Sequence, residues 1–118
     1  MVNYNISNKV FNVIDEFYTN VANKYINTYS YELLCENVTD AYNTIYRIEN
    51  GLLRRNPTIS RWKGYYMANT DKWYFAYKID GDTINVVDAC HSQNMHEMAI
   101  KDNMQPILEF WNRLSKVV

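Results

Sequence analysis

Residues 72–91, KWYFAYKIDGDTINVVDACH, constrain the fold more than any other stretch. Two alternating runs flank Asp80 and Gly81, and an Asp-Gly pair favours a two-residue turn whose twist suits antiparallel strands. Counting outward from a turn at that pair sets Tyr77 opposite Ile84 and Phe75 opposite Val86, with Trp73 and Ile79 on the same face. That face is strongly apolar and belongs against a core. The other face carries Tyr74, Ala76 and Lys78 across from Thr83, Asn85 and Val87, and unbroken alternation brings Ala89 and His91 out on it as well. The side chains with chemistry to offer therefore gather on the second face.

Upstream, Val2, Tyr4 and Ile6 alternate with asparagines, the pattern of a short strand. Ser7 stops it and is a fitting N-cap for a helix over 8–28, whose apolar positions Val10, Ile14, Phe17, Tyr18, Val21 and Tyr25 recur every three or four residues. After a break at Tyr29 and Ser30, a second stripe runs from Leu33 through Val38, Ala41 and Ile45 to Leu52 and Leu53, with Pro57 ending it. Gly51 either ends this helix or sits in its last turn at a cost of ~1 kcal/mol. Two long amphipathic helices joined by a short connection pack antiparallel and cover one face of a sheet. Residues 61–68, RWKGYYMA, have the aromatic composition of a strand, which makes a three-stranded meander. Residues 92–103 give mixed signals, whereas 105–118 read as a helix with Pro106 in its first turn. The predicted fold is α+β over 1–118. It has a short N-terminal strand, an antiparallel helical hairpin on an antiparallel sheet of about four strands, and a C-terminal helical extension over 104–118.

A chain of 118 residues with 47% hydrophobic content suffices for one compact core. The net charge of -1 makes no overall case for a polyanion partner, but the distribution is uneven. Arg54, Arg55, Arg61, Lys63, Lys72 and Lys78 face only Asp71 within their stretch. No segment approaches the ~20 apolar residues needed to cross a bilayer, and the expectation is a cytoplasmic protein without membrane contact. Cys35 and Cys90 lack metal-ligand spacing and are expected to be buried thiols. With three glycines, no glycine-rich phosphate loop, no nucleophile elbow and no HExxH, neither a cofactor nor a metal is expected.

What remains is a histidine ending a strand, cations before and within the meander, and interleaved tyrosines. Arginine and lysine hold phosphates, tyrosine stacks on bases, and histidine exchanges protons near neutral pH. The order of these pieces resembles the RelE/ParE superfamily of toxins from type II toxin-antitoxin systems over residues 4–91. The matching segments are YNIS at 4–7, NPT at 56–58, WYFAYKI at 73–79, DGD at 80–82 and INVVDACH at 84–91. The resemblance implies an antitoxin partner and one of two activities. One is metal-independent, ribosome-dependent cleavage of messenger RNA, and the alternative is ParE-like inhibition of DNA gyrase without hydrolysis. On the first, His91 and Arg61 are the catalytic residues, with His91 transferring a proton, while Arg54, Arg55, Lys63, Tyr74, Lys78 and Asn85 contact substrate. Tyr74 stands where the family usually has an arginine, and an uncharged phenol cannot replace a guanidinium beside a transition-state dianion. A non-toxic binding module on the same fold, and a ligand-binding α+β domain outside the family, are the other readings. For each residue a structural role competes: His91 as a sheet-edge residue, Arg54 and Arg55 as cations in the last turn of a helix, Tyr74 and Lys78 as a face covered by the C-terminal helix.

Overall fold

The computed structural model describes residues 2–50, 57, 59–70 and 72–95. Arg54, Arg55 and the predicted helical extension over 104–118 lie outside them. The elements are β1 (Asn3–Ile6), α1 (Asn8–Lys24), α2 (Tyr31–Ile45), β2 (Tyr66–Asn69), β3 (Trp73–Asp80) and β4 (Thr83–His91), with 3-10 turns at Ile48–Asn50 and Ser60–Trp62. The layout is the predicted α+β one. The sheet order is β1-β4-β3-β2. The meander β2–β3–β4 is antiparallel, while β1 joins β4 in parallel from Asn3↔Thr83 to Ile6↔Val86, so the sheet is mixed. The long connection from β1 to β4, through both helices and then β2 and β3, is what permits that parallel pairing.

Both helices start on a serine whose hydroxyl accepts a free backbone N–H: Ser7 from Lys9 at 3.2 Å and Ser30 from Leu33 at 3.1 Å. Val10, Ile14 and Tyr18 form the buried stripe of α1, and Ala41 and Ile45 that of α2. Both helices are shorter than their apolar periodicity predicts. The stripe of α1 outruns its packing surface, leaving Tyr25 50% and Ile26 76% exposed, so the helix ends at Lys24. After Ile45 the chain tightens into 3-10 geometry, and Ile48 still reaches the core.

Trp73, Phe75, Tyr77, Ile84 and Val86 lie beneath the helices as expected, in one cluster with Val10, Ile14 and Ile45. Register and faces depart from the count in two places. The turn residues are Gly81 and Asp82, because Asp80 pairs with Thr83 and Ile79 with Ile84. Gly81 has φ 59° and Asp82 is not left-handed, a combination that favours glycine in the first central position of a hairpin turn. This slip of two residues preserves the faces. The second departure does not. The register shifts between Ala76 and Tyr77: Tyr77 pairs with Val86 but Ala76 pairs with Asp88, leaving Val87 as the extra residue of a β-bulge. Beyond it the alternation of β4 inverts. Ala89 joins the helix-side core, and Cys90 goes to the opposite face.

That opposite face is not open. Ile59, Trp62, Met67, Ala76, Cys90 and Met95 form a second buried cluster, with Tyr65, Tyr74 and Val87 against it. The segment read as a strand over 61–68 supplies much of this cover. Its aromatic composition reflects burial, and strand geometry begins only at Tyr66, after Gly64 at φ 91°. Of the two thiols, Cys90 is buried as expected and Cys35 is exposed.

Asp88 anchors both layers. Its carboxylate is buried and accepts from Trp62 Nε1 at 2.8 Å, from the backbone N–H of Ala89 at 2.8 Å, and from Lys9 Nζ at 3.4 Å. A buried carboxylate left short of a donor is costly. Trp62→Phe is expected to lower unfolding stability by about 1–3 kcal/mol in urea titrations. Asp88→Asn keeps one acceptor oxygen but sets its NH2 against the second donor, and is expected to cost a similar amount.

Candidate functional site

The bulge delivers His91 to the helix side of the sheet. Its ring stacks on Phe17 of α1, with centroids 4.0 Å apart and an interplanar angle of 11°. It meets Trp73 edge-on at 5.1 Å. The expected shared face of His91 with Tyr74, Lys78 and Asn85 therefore does not exist. Unbroken alternation through Val87 predicts that face, and the extra residue there reverses it.

Nδ1 of His91 accepts the backbone N–H of Gln93 at 3.2 Å, at the start of a helical turn over 92–95. A neutral imidazole that accepts at Nδ1 carries its proton on Nε2. Burial first, and then the charge of Lys72, pull the pKa of His91 below its usual 6.5. At neutral pH the ring is thus an uncharged hydrogen-bond donor through Nε2.

β1 stops pairing with β4 at Val86, where the Ser7 N–H donates to the Val86 carbonyl at 2.9 Å. Beyond that point α1 swings over the sheet, and a groove of about 310 Å³ opens between α1 and the last part of β4. Lys9, Glu16 and Asn20 line it from α1, Arg61 from the 3-10 turn, and His91 and Asn94 from the end of β4 and the turn after it. Its two cations stand against two carboxylates. One of these, Asp88, is already engaged by Trp62 and Lys9. Cys90 also lines the groove, but burial and the nearby Asp88 push its thiol up to about 11, so it is not a thiolate nucleophile at neutral pH.

The predicted site residues consequently divide. His91 and Arg61 come together in this groove. Lys63 and Lys78 line a separate cleft of about 670 Å³ with Tyr65 and Tyr66, and Lys78 Nζ sits 4.5 Å above the Tyr65 ring. Tyr74 is half-buried against the second core cluster, on the opposite face from His91, so the arginine expected at its position leaves no gap in the His91 groove. Asn85 accepts from the Asn5 side-chain amide at 3.0 Å and fastens β1 to β4. Lys9, Asn20, Asn94 and the stacking role of Phe17 were not found from sequence. Phe17 reads as one more core position of α1, and nothing local marks Lys9 as facing the edge of β4.

No protein-family model matches the chain, and no curated protein matches it. Among solved structures, it is similar to the solution structure of HP0894, a conserved hypothetical protein from Helicobacter pylori. The TM-score is 0.49 at 11% identity, with 79% of this chain and 97% of that chain covered.

The state of His91 has a measurable sign. Its folded pKa lies below the unfolded value near 6.5, so on acidification the unfolded chain takes up the proton first. Stability is expected to fall as pH drops from 6.5 towards the folded pKa, and His91→Gln is expected to remove that part of the pH dependence in urea titrations. Nitrogen-15 spectra of the imidazole at pH 7 are expected to show the proton on Nε2.

Proposed function

We propose that the chain is a RelE/ParE-like toxin of a toxin-antitoxin pair, directed at ribosome-bound messenger RNA, with the His91 groove as the seat of an RNA phosphate. One observation supports this above the others: Lys9, Arg61 and His91, carried by α1, a 3-10 turn and the end of β4, line the same groove. Arg61 supplies charge for a phosphodiester, Lys9 stays paired with Asp88 at the groove's edge, and Nε2–H of His91 supplies a directed donor. Metal-independent cleavage also needs a base for the 2′-hydroxyl proton and an acid for the departing 5′-oxygen. A neutral His91 suits the base once Nδ1 is released from Gln93, and solvent water supplies the proton that the departing 5′-oxygen takes.

The Gln93–His91 bond itself favours a second reading. While it persists, His91 donates and does not accept, which suits a toxin that binds its target without hydrolysis, as gyrase-directed members of the family do. In either mode the partner is an antitoxin whose disordered segment orders on contact. A small neighbouring reading frame rich in charged residues is the genomic counterpart expected on this reading.

Induction in a bacterial host is expected to arrest growth, and messenger RNA 5′ ends mapped after induction are expected to show new cuts. His91→Ala is expected to lower cleavage by about 100-fold or more, and Arg61→Ala to relieve arrest, whereas Lys63→Ala, in the other cleft, leaves arrest intact. Arrest with intact messenger RNA and lost plasmid supercoiling selects the gyrase mode. Arrest that survives both His91→Ala and Arg61→Ala removes this groove from consideration, and the absence of arrest removes the toxin reading.

A further inference from the structure

Beside the His91 groove lies a second cleft of about 240 Å³, lined by Arg47, Thr44 and Asp40 near the end of α2 and by Thr70 and Lys72 of the β2–β3 turn. Trp73 is common to the lining of both. Its indole N–H is committed to the Tyr18 hydroxyl at 3.1 Å, so the ring is a fixed wall between the two openings. The cations of this cleft stand on held backbone. The Thr70 hydroxyl accepts the N–H groups of Lys72 at 3.3 Å and Trp73 at 3.1 Å, and the Lys72 carbonyl accepts from Ser92 at 2.7 Å, next to His91. Arg47 follows a turn whose Tyr46 carbonyl accepts from the Tyr4 hydroxyl at 3.1 Å, while the Arg47 N–H donates to Thr44 at 3.0 Å. The hydroxyl of Thr44 donates to the Asp40 carbonyl at 2.8 Å and is occupied locally. Two guanidinium or ammonium groups therefore face one carboxylate, Asp40, and the excess charge favours an anion.

We infer that the Arg47–Lys72 cleft is a second phosphate subsite, on the other side of the Trp73 wall from the His91 groove, so that one single strand of RNA rounding that wall places backbone phosphates in both. This rests on the RNA-directed reading of the His91 groove and extends it by a direction of travel, from β4 towards the end of α2. The Lys63–Lys78 cleft lies off this path, and Trp73 lines no part of it. Cations spaced along a groove track a backbone without reading sequence, and such binding weakens steeply with salt.

The test is binding of a labelled single-stranded RNA oligonucleotide to the full chain over a series of salt concentrations. Arg47→Gln and Lys72→Gln are each expected to weaken binding several-fold and to reduce the slope of log affinity against log salt by about 0.7, the value for one lost phosphate contact on a single strand. Lys24→Gln, at the exposed end of α1, is expected to change neither. Unaltered thermal midpoints establish that the variants fold. If RNA binds and Arg61→Gln weakens it while Arg47→Gln and Lys72→Gln do not, the second subsite is wrong and the groove reading stands. If the unaltered chain does not bind RNA, both fall.

Discussion

Between Tyr77 and Ala76 the ladder of β3 and β4 slips by one residue, and every side chain of β4 beyond Val87 is turned over as a result. Without that slip Asp88 would point under α1, into a cluster of aliphatic and aromatic side chains where the indole N–H of Trp73 is already given to Tyr18 and an unpaired carboxylate costs on the order of several kcal/mol in desolvation. With it, Asp88 reaches Trp62 and Lys9, Cys90 fills the second cluster, and Ala89 provides the small side chain that a close helix crossing needs. His91 then arrives against Phe17 and Trp73. The groove beside α1 is a product of the same slip, since its floor is the inverted end of β4.

Much of the fold was legible in the chain because it rests on local chemistry. Ser7 and Ser30 cap helices whose apolar spacing is plain, and the alternation from Trp73 to Tyr77 assigns the helix-side core without help. The site was not legible for one reason: strand pattern reports faces only where pairing is regular. The run Val86-Val87-Asp88-Ala89 contains no glycine to mark a bulge, and the deciding term is a hydrogen bond to Trp62, 26 residues away. The same non-local term misled the reading of 61–68. Trp62 and Tyr65 are aromatic because they cover the sheet, and strand pairing accounts only for the part from Tyr66 onwards.

The His91 groove is electrostatically restrained. Its cations are matched by carboxylates, and its imidazole is kept neutral by burial and by Lys72. An anion in such a site would be held through directed donors more than through net charge, unlike on the basic surfaces on which nucleic-acid affinity usually depends. That balance is consistent with a chain whose formal charge is only -1.

The parallel pairing of β1 with β4 bears on how the molecule assembles. Asn5 and Asn85, bonded across it, are 80 positions apart, and the Tyr4 hydroxyl is held at both Tyr46 and Glu49. During synthesis the two helices and the meander can form from contacts nearer in sequence, but the first strand has no lateral partner until the last has emerged. Its closure carries the largest loop entropy in the described fold. The edge of β4 thus waits for β1, the strand farthest from it in chain order within the described fold.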